Sequence, residues 1–351
     1  HPFICECSSF KSSKSYPTLL GFHDLQTWKQ LKDIKSGDKI YLNKHVNLTW
    51  NGEGSWNDGY LLGWLIGDGR FSSREKYNNY QNSLDFWPTD YHLIPFVTRI
   101  LPNCRVYKMG DVVSLRSPYL EELRLKYVGE LTKKIPAEIE EASSDFYCGF
   151  ISALFDTDGD VSNNRTLHFS QSNLQIVEAV QRMLLRLGIV SSINKSRDAG
   201  EMVILGRRVQ CKTKYLLSIG RENIIIFNRR VGFQHNEKKS KIYAQLHKLF
   251  NNKRNKTHLA TEHFTDEVIS ISEVERTNVF DIQVMGEHAF DANGFVAHNC
   301  GGNMWVWHRK MRGTEGLTLI KKGGILQEVP PNWKDHVKVV SGSRRKNLPQ
   351  D

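Results

Sequence analysis

LLGWLIGDG at residues 61–69 and ISALFDTDG at residues 151–159 are two apolar stretches that each run into an Asp-Gly pair, ninety residues apart. Both read as helices. Small residues inside them, Gly63 and Gly67 in the first and Ser152 and Ala153 in the second, allow two helix backbones to come close. The closing glycines, Gly69 and Gly159, suit the left-handed residue that stops a helix. One Asp-Gly alone is most simply a helix-terminating turn. Two at the same point of a repeat place Asp68 and Asp158 together at one end of a helix pair. Paired carboxylates in an otherwise basic chain are a place to hold a divalent cation against a phosphodiester.

The repeat extends outward from these nonapeptides. One copy continues through LIPFVTRILPNCRVYKM and VVSLRSPYLEELRLKYVG, the other through IVEAVQRMLLRLGIVSSINKS and KYLLSIGRENIIIFNRRVG. Each is an αββαββα-like unit, which predicts two subdomains, 60–130 and 146–233, related by a pseudo-two-fold axis because each exposes an apolar face that the other buries. The flanks have a different texture. KIYLN, VNLTW, EVISISEV, NVFDIQVM and HVKVVSG are short, β-branched or alternating, and separated by turn residues. NGEGSWNDG at 51–59 bounds the middle region on one side, and the polar, basic stretch 234–258, part helix and part linker, bounds it on the other.

At 351 residues the chain has room for two or three domains, and its 39% hydrophobic content excludes disorder as the default. A net charge of +10 favours a polyanionic partner, because lysines and arginines gain affinity by releasing the counterions around phosphates. The six cysteines follow neither a disulfide framework nor a complete zinc site, which suits a reducing compartment. No signal peptide and no apolar run near eighteen residues is visible, so a monomer inside the cell, away from membrane, is the expectation.

The two nonapeptides resemble the paired motifs of the LAGLIDADG homing endonucleases. That resemblance covers residues 60–233 and implies a saddle of two antiparallel sheets over a long double-stranded DNA site. It further implies that Asp68 and Asp158 bind Mg²⁺ and that each serves the cutting of one strand. Family members often add one lysine per half, and Lys108 in CRVYKMG and Lys195 in SSINKSRD stand at corresponding places. Basic residues in SSREKYNNYQN, NKSRDAG and GRRVQCKTK then serve as groove and phosphate contacts. A DNA-binding protein that keeps the saddle without cleaving is the alternative, although members of that kind usually lose an acidic residue and both are present here.

A second chemistry lies in NVFDIQVMGEHAFDANGFVAHNC at residues 278–300. An asparagine amide can attack its own main-chain carbonyl, close a succinimide and break the following peptide bond. Good alignment supplies an effective concentration on the order of 10⁵ M or more to this weak nucleophile. Asn299 is that asparagine, His298 and His288 are imidazoles able to move the protons, and Cys300 carries a thiol that can accept an acyl group. The run resembles the C-terminal splicing motifs of inteins, with VFDIQV, HAF, ANGFVAHN and Cys in order. What this implies is an all-β, horseshoe-like Hint splicing domain formed by residues 1–50 and 259–299 and interrupted by the endonuclease, with host-protein segments as further partners.

HPFICEC followed by WKQLKDIKSGDKIYL resembles an interior intein segment whose histidine activates the amino-side scissile bond, which makes His1 a catalytic candidate. Joining Asp351 to His1 restores the expected Asp-His-Pro, with Pro349 where Thr is usual. On that permuted reading residues 300–351 are the opening of the splicing domain. On the natural-order reading they belong to the downstream host protein. A hedgehog-type autoprocessing domain would share the cysteine and histidine but generally lack the His-Asn terminus and the nuclease insertion.

Overall fold

The computed structural model describes residues 2–6, 26–30, 33–42, 49–74, 79–80, 82–204, 206–220, 223–251, 264–272, 280–284, 289–292, 294–298, 305–306, 319–321, 325–327 and 337–341. The chain forms two compact units, one from residues 1–48 with 261–351 and one from residues 49–260.

The larger unit is organised by α1 (Trp56–Gly67) and α4 (Ser144–Asp158), which pack directly against each other. Each starts on a serine cap. The Asp58 amide donates to Ser55 Oγ (3.2 Å) while the Ser55 amide donates back to the Asp58 carboxylate (2.9 Å), and the Phe146 amide donates to Ser143 Oγ (3.1 Å). Residues 59–66 of α1 are all buried, as an apolar helix without a polar face requires. The contact is backbone on backbone. A Cβ at Gly59 would collide with the Phe146 carbonyl, one at Gly63 with the Phe150 carbonyl and Ala153 Cβ, and one at Gly149 with the Trp56 carbonyl. Gly63, Gly67 and Ala153 are the small residues expected at this seam; Gly59 and Gly149 complete it. Ser152 points away, donating to the Gly232 carbonyl at 3.1 Å.

The closing glycines correct the sequence expectation. Gly159 has φ −90°, extended rather than left-handed, and Gly69 is not among the positive-φ residues either. They are needed because the chain doubles back from helix into strand so tightly that a Cβ would strike the main chain of Leu65 or Phe155.

Each helix then feeds the same succession. The first half runs α1, β1 (Gly69–Arg70), β2 (Ser83–Phe86), α2 (Ile94–Ile100), β3 (Arg105–Met109), β4 (Val112–Arg116) and α3 (Pro118–Tyr127). The second runs α4, β5 (Gly159–Ser162), β6 (Thr166–Gln171), α5 (Leu174–Arg186), β7 (Ser192–Arg197), β8 (Lys214–Gly220) and α6 (Asn223–Arg230). Both sheets are antiparallel, and their orders, β1-β2-β4-β3 and β5-β6-β8-β7, are equivalent. Registers agree as well: Gly69 opposes Leu84 as Gly159 opposes Phe169. The predicted αββαββα repeat is therefore present in both halves. Each half carries one extra hairpin at a different place: Ser73–Arg74 with Asn79–Tyr80 between β1 and β2, and Gly200–Ile204 with Arg207–Cys211 between β7 and β8.

The amphipathic α5 lays Ile176, Val177, Val180, Met183 and Leu184 against its sheet. The outer strand β3 is exposed along its whole length, leaving Arg105, Tyr107 and Lys108 open to a partner. Beyond α6 the chain forms α7 (Asn236–Asn251), so most of the basic stretch 234–258 is helix.

In the smaller unit every described regular element is a strand. Pro2–Glu6 pairs antiparallel with Gln26–Gln30 and with Phe295–His298, Lys39–Leu42 pairs with Phe264–Glu267, and Phe280–Val284 pairs with Val337–Ser341. Among the described residues no helix is long and apolar enough to cross a membrane.

Replacing Gly63 with Val should force the two helices apart and cost about 3 kcal/mol or more. A thermal scan followed by circular dichroism should show a much lowered or uncooperative transition, while Gly200→Ala, where nothing lies within 4 Å of the added methyl, leaves it unchanged.

Candidate active site

Asp68 caps the C-terminus of α1 and Asp158 is the last residue of α4, so the close helix seam delivers both carboxylates to one end. Along the two motifs the burial pattern is the same: residues 61–66 and 151–156 are buried, 67–68 and 157–158 half-buried, Gly69 and Gly159 buried again. Burial raises the pKa of Asp68 above the usual carboxylate value, and the charge of Asp90 raises it further. Burial, then the charge of Asp68, pushes Asp158 up to about 6. Gln171, at the end of β6, steadies Asp158 by donating to its Oδ2 at 2.7 Å.

Two lysines meet this acidic pair. Lys133 donates from Nζ to the Gly67 carbonyl at the end of α1. Lys238, from the first turn of α7, donates to the carbonyls of Phe155 (3.0 Å), Asp156 and Thr157 (3.4 Å) at the end of α4. The ammonium groups thus reach carbonyls at the helix C-termini, of which that of Phe155 also accepts from the Gly159 amide. Desolvation lowers the pKa of both lysines; the charges of Asp158 and Asp68 pull Lys133 back up, and those of Asp156 and Asp90, then Asp158 and Asp68, pull Lys238 back up.

These lysines are equivalent under the repeat. After α3 the chain reads VGELTKK, after α6 it reads VGFQHNEKK. Gly129 (φ 74°) and Gly232 (φ 66°) are both left-handed, and their amides reach back to the Arg124 and Phe227 carbonyls at 2.9 Å. The signal was therefore a Val-Gly followed within ten residues by Lys-Lys in both copies, just past the points where 60–130 and 146–233 were closed.

Lys108 and Lys195 sit elsewhere. Lys108 lies on the exposed β3, and Lys195, on β7, pairs with Asp198 at 2.6 Å. Neither is among the leading charges acting on Asp68 or Asp158. The halves also differ around their acids. Under Asp68 lies Asp85, accepting from Ser114 Oγ (2.7 Å), Ser83 Oγ (3.0 Å) and Arg70 (3.1 Å). Beside Asp158 opens a cleft lined by Ser170, Gln171, Arg197, Lys212 and Lys214, which is basic where the first half is acidic.

Hard carboxylate oxygens whose ionised form is disfavoured by burial fit a divalent cation such as Mg²⁺, which takes one or two carboxylates and completes its shell with waters and phosphate oxygens. No cluster of three or more His, Cys, Asp or Glu able to hold a metal occurs among the described residues. Of the splicing candidates, His298 ends the strand Phe295–His298; His1, His288, Asn299 and Cys300 lie outside the described residues.

The model of the LAGLIDADG-like domain matches residues 145–232. The second half of the larger unit is a LAGLIDADG-like domain. The first half shares its topology and register, so the larger unit is built as two such halves.

Relatives lie inside larger proteins. The chain is 25% identical over 278 residues to a DNA polymerase of Thermococcus sp. (strain GE8), covering 75% of this chain and 15% of that protein. It is 25% identical over 305 residues to the ribonucleoside-diphosphate reductase NrdEB subunit alpha of Bacillus subtilis (strain 168), covering 77% and 27%. With the ATP-dependent DNA helicase Hel308 of Methanocaldococcus jannaschii it shares 28% identity over 232 residues, covering 61% and 19%. The chain therefore spans less than a third of each of these three relatives. Among solved structures, I-DmoI in complex with DNA and Mn has a TM-score of 0.38 at 19% identity, covering 50% of this chain and 96% of that one. The LAGLIDADG meganuclease I-AabMI bound to uncleaved DNA has a TM-score of 0.36 at 11% identity, covering 58% and 94%. Likenesses at these scores add nothing to the family match.

Because the folded-state pKa of Asp158 lies above the ordinary 3.8, its ionisation destabilises the fold: the cost is absent below about pH 4 and complete above about pH 6. A rise of that size corresponds to at most about 3 kcal/mol. Asp158→Asn, which keeps an oxygen for Gln171, should raise the Tm of the metal-free protein at pH 7.5 by several degrees and by nothing at pH 4; a lower Tm at pH 7.5 would refute the strained-carboxylate account.

Proposed function

We propose that the chain is an intein carrying a LAGLIDADG homing endonuclease, a self-splicing protein that also cleaves both strands of a specific double-stranded DNA site. The observation that carries the nuclease reading is the pair of destabilised carboxylates, Asp68 and Asp158, held at the ends of two touching helices, with Lys133 and Lys238 bonded to the carbonyls at those ends. Asp68 and Asp158 would hold Mg²⁺, which when bound would supply Lewis-acid chemistry: activation of water and neutralisation of charge on a phosphate. Lys133 and Lys238 stabilise the same charge and assist the departing oxygen, one in each half. Gln171 fixes the orientation of Asp158. Lys108 and Lys195, from the outer strands, hold the DNA backbone together with Arg197, Lys212 and Lys214.

The splicing reading rests first on the motif run ending at Cys300. The amide nitrogen of Asn299 attacks its own main-chain carbonyl, His298 and His288 carry the proton from that nitrogen to the departing amine of residue 300, and the 299–300 peptide bond breaks as the succinimide closes. Before that step the Cys300 thiol attacks the carbonyl carbon of the amino-side scissile bond, forming a thioester as that C–N bond breaks, and His1 passes the thiol proton to the departing amine. The antiparallel pairing of Pro2–Glu6 with Phe295–His298 supports this assignment, because those strands bear the sequence neighbours of His1 and Asn299. The pairing of Phe280–Val284 with Val337–Ser341 supports reading residues 300–351 as part of the splicing unit rather than as host sequence. The relatives point the same way: a polymerase, a reductase and a helicase share no reaction, so a segment common to all three is best explained as an insertion with its own activity. Host segments flanking the chain are its protein partners.

Asp68→Asn and Asp158→Asn should each lower double-strand cleavage with Mg²⁺ on the order of 10²-fold or more, leaving nicked product at most. Undiminished double-strand cleavage in either variant sinks the nuclease assignment. Asn299→Ala should abolish breakage of the 299–300 bond while DNA binding in a gel-shift assay is retained.

A further inference from the structure

The motif of the second half ends in two carboxylates, Asp156 and Asp158, where the first half has Ile66 and Asp68. Ile66 and Asp156 are each 1% exposed, so a fully buried charge has replaced a core isoleucine in one half only. An uncompensated carboxylate there would cost several kcal/mol. Asp156 is compensated by three donors. Tyr60 Oη of α1 reaches Oδ2 at 2.8 Å, the Gln234 amide reaches Oδ2 at 2.9 Å, and the His235 amide reaches Oδ1 at 3.0 Å.

The two amides belong to the junction that differs between the halves. Three residues separate Gly129 from Lys133, five separate Gly232 from Lys238. The longer junction must double back to bring Lys238 to the end of α4, and the amides that Asp156 fastens lie within it. His235 continues the arrangement: its carbonyl accepts from the Lys239 amide at 2.9 Å, opening α7, and its ring meets Asp90 at 3.5 Å. Lys238 follows within the first turn.

Building on the nuclease reading, we propose that Asp156 is a positioning residue, which by fastening the Gln234 and His235 amides holds the Lys238 ammonium on the carbonyls that end α4. The first half needs no such residue, because Lys133 reaches Gly67 from a junction two residues shorter. Asp156 therefore serves one strand of the DNA and not the other.

Asp156→Asn keeps the shape but loses one of the two accepting oxygens. With Mg²⁺ and end-labelled DNA, it should slow the cutting of one strand by about 10-fold or more and leave the other within about 2-fold, so that a strand-specific nick accumulates. Lys238→Met should slow the same strand, and the double variant should be no slower than Lys238→Met alone, since the two act through one group. In the metal-free protein without DNA, hydrogen exchange at the Gln234 and His235 amides should accelerate at least 10-fold in Asp156→Asn while amides in the middle of α4 are unchanged. Equal slowing of both strands, additive loss in the double variant, or unaltered exchange would each overturn the proposal. If Asp156→Asn does not fold, Tyr60→Phe weakens the same carboxylate from the other side and should slow the same strand by about 2- to 5-fold; no strand bias there would likewise overturn it. Should the wild-type protein cut no DNA, the nuclease reading fails, and the exchange measurement still decides whether Asp156 fastens the junction.

Discussion

The contact between α1 and α4 is the constraint from which the larger unit follows. Gly59, Gly63 and Gly149 let carbonyls of one helix lie where side chains of the other would otherwise stand. That proximity is unusual in a water-soluble core, where packed helix axes lie about 8–10 Å apart with side chains between them. Here it replaces side-chain interdigitation with backbone contact, and it makes the ends of the two helices neighbours. Two carboxylates at those ends cannot avoid each other. Burial raises the pKa of both acids, and the charge of Asp68 then raises that of Asp158 further.

Stability and chemistry therefore pull in opposite directions at this point. A fold selected for stability alone would separate the acids or replace one of them. Keeping both, half-buried, leaves the protein with raised carboxylates whose strain the charges of Lys133 and Lys238 offset only in part. Ground-state strain of this kind is characteristic of sites built for a charged ligand.

Much of this was legible in the sequence because it is repeated. A buried apolar helix with small residues, ending at an acid, leaves the same pattern wherever it occurs, and ninety residues later it recurs. The equivalence of the two halves followed from that repetition. What was not legible depends on the path of the chain rather than on its pattern. Lys133 and Lys238 lie outside the αββαββα unit, in junctions whose polar composition reads as linker, and only the fold shows that both return to the helix ends. Lys108 and Lys195 were chosen on a strand position that suits the family, yet those strands lie on exposed parts of their sheets. The closing glycines were correctly singled out for the wrong reason: they are required by the approach of Leu65 and Phe155, not by a left-handed backbone.

Pseudo-symmetry has limits that the residues around the acids make explicit. Register places Ser170 where the first half has Asp85, and Gln171 where it has Phe86. Asp85 adds negative charge beneath Asp68 and holds Arg70, whereas Gln171 donates a hydrogen bond to Asp158 and a basic cleft stands beside it. They make the two helix ends unequal in local charge and in the donors that reach each acid. A single chain is free to develop such inequality because its halves are encoded separately. A homodimer, bound to identical subunits, is not.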